Sequence, residues 1–543
     1  MTGVDALADL VARDRRLVRL PALVAGRWRE PPALDPVLLH EAVEAARQPV
    51  EHRGWGPADD GAGDEWYELD DLWVVRQPVI GDDCRGGPQV RYLVTPALTG
   101  EELLATVAAP RLEALSACSV GELLDVVAAV RAHVRVHAAD AARVLGALGA
   151  GPGDVAGTAR AEAEAVIGLL DPAALGEEID RGLHVGGWPG RALLDGWRPL
   201  DVAVERGFTA QLDARADGAL PPAGHAPAVR ALGTRQLHIT SANAFVVPLV
   251  SLLRAWATKG ATILKSPVRN AGVGAVVAAA LTDVAPAHAL TEATSLVTWR
   301  GGSEAVEGPL LAADALDRVV VWGDGTTVAD IRRRAAATEV VAFGPKVSFS
   351  VIGREAADLA AVARLAAIDA LVHDQAACTA SLVHYVEGGA ARAERHAREL
   401  QAQLARWDRL RPHRMAEAAH HQHLRLRRGE LAVGRWFLNA DASGRTTSAV
   451  VVAPHAVDLR AHPMHRVVVV RPVADAAEVI RFCHSGVSAV GVHPETLRLR
   501  LRDALAVRGV SSVVPLGEAE RSFAAMPHDG AHVLNRLVRW ATA

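Results

Sequence analysis

The sequence predicts an α/β protein with two doubly wound domains behind a mainly helical N-terminal region. Three observations predict it. From about residue 230, short apolar runs alternate with helix-like segments, as in "QLHITSANAF", "VPLVSLLRAWATKG", "ATILKS", "AGVGAVVAAALTDV", "SLVTW" and "RVVVWG". Such runs, bounded by turns, are strands buried on both faces, and the helical segments between them are crossovers. The same alternation returns after residue 347 in "SLVHYVE", "TSAVVVAP", "HRVVVVRPV" and "VSAVGVH". The chain before residue 225 lacks this rhythm. At 543 residues it is also too long for a single hydrophobic core.

Residues 1–225 read as a mainly helical part packing on the domain that follows. Helical stretches such as "SVGELLDVVAAVRAHVRVHAADAARVLGAL" are broken there by patches such as "GPADDGAGDEWYE". Residues 226–346 form the first doubly wound core. Sheets of this kind bind ligands at the carboxyl ends of their strands, where loops run into helix N-termini. The glycines of "WRGGSE" and "VWGDGTTV" fall at such ends, so this segment is an expected ligand-binding core. Residues 347–505 form a second α/β domain, opened by the helix in "EAADLAAVARLAAIDALVHDQ". Residues 506–543 read as a strand and an amphipathic helix that return to the first domain. No period of 20 to 50 residues repeats, so a solenoid is not indicated.

Composition narrows the partners. Half of the residues are hydrophobic and 22% are charged, a balance that packs cores. A net charge of −5 with no long basic run gives no field suited to nucleic acid. The longest apolar runs fall short of the roughly 20 residues that a membrane span requires, and "MTGVDALADLVARDRR" mixes acids and bases where an export signal would be basic and then apolar. A cytoplasmic location is expected. The four cysteines, Cys84, Cys118, Cys378 and Cys483, lack both the spacing of a zinc site and the density of a disulfide framework.

Cys378 stands apart from the other three. It follows an Ala-rich helix and precedes a strand, a junction where loops display nucleophiles. A thiol becomes an effective attacker once nearby dipoles or a cation favour the thiolate. The alternative reading is a small residue that fills a corner, since free cysteine is commonly buried.

The run "DLAAVARLAAIDALVHDQAACTASLVHYVE" resembles the cysteine-bearing segment of the aldehyde dehydrogenase superfamily, and other landmarks follow in that order. "HITSANAF" resembles the segment whose Asn forms half of an oxyanion hole, and "ATILKSP" the strand and Lys that hold the adenosine ribose. "VVVWGDGTTVADI" resembles the turn and helix near the nicotinamide, and "VVAFGPKVSF" the hinge strand. "FGPKVSF", "DQAAC" and the C-terminal "GVSSVVPLGEAERSFAAMPHDGAHVLNRLVRW" are most similar to the LuxC-type acyl-CoA reductases. The likeness is good from about residue 225 onward and faint before it. "SAN" departs from the Gly-Asn usual in the family.

The resemblance implies an aldehyde-dehydrogenase-like fold and an aldehyde-forming acyl-CoA reductase, working on an acyl-CoA or acyl-carrier thioester of fatty type. It implies Cys378 and Asn243 as catalytic residues, and Ser241, Lys265, Ser266, Arg269, Gly323, Gly325 and Thr326 as cofactor-binding. Aldehyde-oxidising members carry a water-activating glutamate in the hinge where this chain has Ala342, and Glu339 lies three residues too early. Without that base a thioacyl-cysteine is poised for thiol exchange or hydride rather than hydrolysis. Val268 stands where a ribose-binding carboxylate is common, and Arg269 follows it, which favours NADPH. A homo-oligomer is expected from the superfamily. The rival readings are an acyltransferase that has lost hydride transfer and a non-catalytic partner of an acyl carrier.

Other features read more plainly. His413, His420, His421 and His423 lack the carboxylate or cysteine that would complete a tetrahedral metal set, so a solvated face and no metal are expected. His528 and Asp529 could orient a catalytic group, but a helix cap by Asp529 is the favoured reading. The 12 tryptophans are scattered, and their pattern does not separate an acyl pocket from ordinary core.

Overall fold

The computed structural model describes residues 3–14, 16–46, 64–69, 71–79, 89–148, 155–202, 215, 226–411, 417–429, 431–457, 459 and 462–543. Cys84 and His413 lie outside the described residues.

Five parallel strands form the heart of the first domain: β1 (Arg235–Ile239), β2 (Ala261–Lys265), β3 (Thr294–Val297), β4 (Arg318–Trp322) and β5 (Glu339–Phe343). Their order is β5-β4-β1-β2-β3, so the sheet reverses direction between β1 and β4 and opens a crevice at their carboxyl ends. The register keeps those ends level, with Lys265 opposite both Ile239 and Val297 and Trp322 opposite Phe343. Helices α1 (Val247–Ala257), α2 (Ala271–Val284), α3 (Glu304–Leu311) and α4 (Gly325–Arg334) make the crossovers. In α2 every residue from Ala271 to Leu281 is buried, which is why "AGVGAVVAAAL" carries no polar face.

The second sheet has seven strands: β6 (Val347–Ile352), β7 (Ser381–Glu387), β8 (Arg435–Ala440), β9 (Thr446–Val452), β10 (Val467–Val473), β11 (Val487–His493) and β12 (Ser512–Pro515). Their order is β8-β9-β10-β7-β6-β11-β12, parallel except for β8. All seven residues of β7 are buried, its polar Ser381, His384 and Glu387 included, as befits a central strand covered on both faces. Helices α5 (Leu359–Leu371) and α6 (Ala390–Leu410) cover one face. Asp358 caps α5, accepting from the amides of Ala360 at 3.1 Å and Ala361 at 3.0 Å.

Two parts differ from expectation. The N-terminal region holds strands as well as helices. Leu17–Arg19, Glu65–Leu69, Leu72–Val79 and Gln89–Pro96 form a four-stranded sheet, and Ala22–Val24 and Arg27–Arg29 add antiparallel to β3. Charged residues and prolines in "LWVVRQPV" and "QVRYLVTP" blur the period-2 signal of those strands. At the other end, β12 remains with the second sheet, and the chain crosses back only after it, where Arg539–Thr542 pairs antiparallel with Ala228–Leu232. Among the described residues, no helix is long and apolar enough to cross a membrane.

Candidate active site

Cys378 sits on the turn between α5 and β7, partly buried. The approach to it is strained. His373, Asp374 and Gln375 hold φ of 46°, 51° and 72°, left-handed values that non-glycine residues adopt at a cost of roughly 1–2 kcal/mol each. A second left-handed run, Met464, His465 and Arg466 at 56°, 52° and 65°, leads into β10. The two runs are fastened together. Gln375 exchanges two hydrogen bonds with the backbone of Val467, donating through Nε2 and accepting through Oε1, each at 2.9 Å. Arg466 donates to Asp374 at 2.7 Å and to Asp408 of α6 at 2.7 Å. Beyond the turn, the Ser348 hydroxyl donates to the Cys378 carbonyl at 2.7 Å and accepts from Ala489 N at 2.9 Å.

The first domain meets this loop through Asn243. Its Nδ2 donates to the carbonyl of Ala376 at 3.0 Å, two residues before the cysteine, and its Oδ1 accepts from the Ser241 hydroxyl. The Asn243 loop follows β1 and is pinned from below by Asn270, whose Nδ2 donates to the carbonyls of Ser241 and Ala244, each at 3.1 Å. Asn270 belongs to the same "SPVRN" turn as Arg269 and was not singled out from sequence.

The remaining expected residues gather at the carboxyl edge of the first sheet. Ser241 follows β1, and Lys265 and Ser266 end β2, all three buried. Thr240 ties the two strand ends together, its hydroxyl donating to the Lys265 carbonyl at 2.9 Å. Gly323 follows β4, and Gly325 and Thr326 are the first two residues of α4. Asp324 caps that helix by accepting from Thr327 N at 2.7 Å, which leaves the Gly325 and Thr326 amides without an intrahelical acceptor. Arg269 lies in the turn that starts α2, and its Nε has no hydrogen-bond partner. Arg91 of the N-terminal sheet lies close enough for Arg269 to repel its charge.

A group that the sequence reading left out closes the site. Asp529 does not cap the terminal helix Val533–Leu537, whose N-cap is His532. Asp529 instead pairs with Lys346 of the hinge at 3.1 Å. His528 lies edge-on to Trp322 and Phe343, with ring centroids 5.2 and 4.8 Å away, and 3.3 Å from the Arg254 guanidinium. Ser488 of β11 brings its hydroxyl within 3.8 Å of the Cys378 sulfur. Burial pushes the Cys378 thiol above its ordinary pKa, Ser488 draws it down, and the charges of Asp529 and Lys346 act in opposite directions. The motifs "FGPK" and "PHDG" carried the signal; the link between them is tertiary.

Among the described residues, Cys118, Cys483 and the histidines of Glu417–Arg428 have no arrangement that suggests chemistry. Cys483 is buried with its thiol on the Val479 carbonyl, and the carbonyl of Cys118 accepts from Lys259. His423 is not on a solvated face as the sequence suggested. It is fully buried edge-on to Trp436, because its position on Glu417–Arg428 faces the second domain. Among the described residues, no three His, Cys, Asp or Glu side chains are grouped to hold a metal.

A family model described as acyl-CoA reductase (LuxC) matches residues 230–540, more than half of the chain. The chain belongs to this family. Its curated relatives include long-chain acyl-protein thioester reductase 2 of Photobacterium leiognathi, 25% identical over 56% of this chain and 63% of the relative. The long-chain acyl-protein thioester reductase of Photorhabdus luminescens is 24% identical over 64% of this chain and 67% of the relative. The matches thus span about two thirds or less of those proteins. The fold is that of the aldehyde dehydrogenases. Aldehyde dehydrogenase 21 of Physcomitrella patens superposes with a TM-score of 0.63 at 15% identity, over 83% of this chain and 92% of that one. The NADP-dependent glyceraldehyde-3-phosphate dehydrogenase of Bacillus halodurans C-125, solved with NADP, gives 0.65 at 15% identity, over 87% and 95%. For a LuxC-family chain this fold agrees with the expected α/β class and two doubly wound domains.

Proposed function

We propose that this protein reduces an acyl thioester, carried on CoA or on a carrier protein, to an aldehyde, with Cys378 as nucleophile and NADPH as reductant. One observation carries the reading. The Cys378 turn and the Asn243 amide, supplied by different domains, meet at the same loop, with Asn243 3.0 Å from the Ala376 carbonyl. A side-chain amide has two protons to donate. Ala376 engages one, so the other is free to meet a carbonyl oxygen bound beside the sulfur.

In this reading the Cys378 thiolate attacks the thioester carbonyl. The Asn243 amide and the Cys378 backbone N–H hold the oxyanion, and the carrier thiol leaves. The half-buried Ala342 offers no carboxylate to activate water at the hinge, which favours survival of the thioacyl-cysteine until it is reduced. NADPH supplies the hydride when bound. The residues fit such a cofactor. Lys265 and Ser266 end β2 beside the crevice, and the α4 amides of Gly325 and Thr326 suit a pyrophosphate. The unsatisfied Arg269 Nε, near the cationic Arg91, suits a 2′-phosphate.

The test is incubation with an acyl-CoA panel and NADPH, following absorbance at 340 nm and aldehyde. Aldehyde from the parent chain and none from Cys378→Ala supports the reading. Acyl transfer without NADPH consumption returns the acyltransferase reading. An intact mass spectrum with no adduct on Cys378 overturns covalent catalysis altogether.

A further inference from the structure

The Lys346–Asp529 ion pair has no part in the chemistry described so far, yet it lies beside the cysteine turn: Lys346 is two residues before Ser348, whose hydroxyl donates to the Cys378 carbonyl at 2.7 Å. Lys346 comes from the hinge between β5 and β6, and Asp529 from the C-terminal loop, where its backbone is left-handed at φ 54°. Their side chains are only 13% and 14% exposed, so water screens their fields weakly. Lys346 also donates to the Ser511 hydroxyl at 3.1 Å, which fixes its ammonium beside β12 and β11, the strand that carries Ser488.

We propose that Lys346 and Asp529 together set the charge state of the Cys378 sulfur, the ammonium favouring the thiolate and the carboxylate opposing it. This rests on the reading of Cys378 as nucleophile and deepens it. Both are positioning residues, acting on the sulfur through their charges. Burial and the Ser488 hydrogen bond set the baseline of the thiol, and the pair tunes it about that baseline. Burial lowers the pKa of His528 to about 3, so it carries no charge at neutral pH. Arg254 of α1 faces Asp529 and His528; burial raises the Asp529 pKa, and the charges of Lys346 and Arg254 oppose that rise. On the cysteine's own segment, the His373 ring lies 3.3 Å from Glu520 and Asp374 pairs with Arg466, so both side chains are turned to other partners. Ser488 is the neutral hydrogen-bond donor to the sulfur.

The carboxylate thus opposes ionisation of the thiol, and the thiolate is the form open to alkylation and oxidation. The arrangement also predicts that deleting the carboxylate makes the cysteine more reactive.

The test is the pH dependence of Cys378 alkylation by iodoacetamide in the full chain, read by peptide mass mapping so that the other cysteines are scored separately. Lys346→Met should move the midpoint up by about one pH unit and Asp529→Asn should move it down by about as much. Lys346→Arg and Asp529→Glu, which keep the charges, should restore the parent profile. Shifts in the same direction, or none, would overturn the proposal, because a merely structural role cannot give opposite signs. If Lys346→Met does not fold, Asp529→Asn and Asp529→Glu still decide it. Alkylation needs no substrate, so a parent chain that titrates as described but forms no acyl adduct would sink the nucleophile reading and spare this one.

Discussion

Arg466 Nε lies 2.7 Å from Asp374 Oδ1, fastening one left-handed run to another just ahead of Cys378. The Arg466 side chain is 2% exposed and also holds Asp408 at 2.7 Å. Removing one partner of a buried pair leaves the other charge uncompensated, at about 3–5 kcal/mol. Arg466→Met should lose stability of that order in urea unfolding. It should also slow acylation of Cys378 in the surviving folded fraction, because the left-handed run is then free to relax. A variant that unfolds earlier but acylates at the parent rate would separate the clamp from the chemistry.

Asn243→Ala removes the amide that joins the two domains at the cysteine loop. If that amide holds the oxyanion, the single-turnover rate of acylation should fall about 10²- to 10³-fold. Iodoacetamide alkylation of Cys378, which builds no oxyanion, should stay near the parent rate. Equal losses in both reactions would mean that Asn243 only shapes the loop through Ala376.

Much of this site was legible before any coordinates. The doubly wound sheets follow from apolar runs too long to alternate, as in "RVVVW" and "SLVHYVE", with helices between them. Cys378 and Asn243 were found from local context and from resemblance. The strands of the N-terminal region were hidden because their side chains mix aromatic, charged and proline residues on short, edge-rich ribbons. The role of Asp529 was misread for another reason. An acid shortly before a helix reads as a cap, but the capping position is the residue directly ahead of the helix, here His532, and the partner of Asp529, Lys346, lies 183 positions earlier in the chain. Gly491 is a similar case. A Cβ there would come within 2.5 Å of Asp369 Oδ2, so the glycine makes room for a carboxylate that accepts from the amides of Gly517 and Ala519.

Arg269 should govern cofactor choice. An arginine on a phosphate contributes about 1.5–3 kcal/mol, equivalent to roughly a 10- to 150-fold effect. Arg269→Ala should therefore lower kcat/KM with NADPH by that factor and leave kcat/KM with NADH nearly unchanged, measured as oxidation of each coenzyme at 340 nm. A uniform loss with both coenzymes would assign Arg269 to the turn that holds Asn270 instead.

Acid should unfold this protein earlier than its carboxylates alone would dictate. His238, in β1, is fully buried between Ser251 and Gln236, and burial with the nearby charge of Arg254 lowers its pKa to about 3. His396, in α6, is fully buried against His384 at 3.2 Å and is likewise lowered to about 3. In the unfolded chain both return to about 6.5. The folded values lie below the unfolded ones, so between pH 3 and 6.5 the unfolded chain binds more protons, and stability is present above that window and lost as pH falls through it. Each histidine removes about 1.4 kcal/mol per pH unit below 6.5, so the pair removes about 2.5 kcal/mol between pH 7 and 5.5. Asp369 works in the opposite sense. Burial raises its pKa to about 6, so it gains stability as pH falls from 6 toward 4, by less than about 1 kcal/mol at pH 5.5. The histidines therefore dominate, and Tm should decline steadily below pH 6.5. His396→Leu tests the assignment. It should lower Tm at pH 8, because His384 Nδ1 loses its buried partner, yet flatten the acid decline by the share of one histidine. An acid limb as steep as the parent's would place the sensitive protons elsewhere.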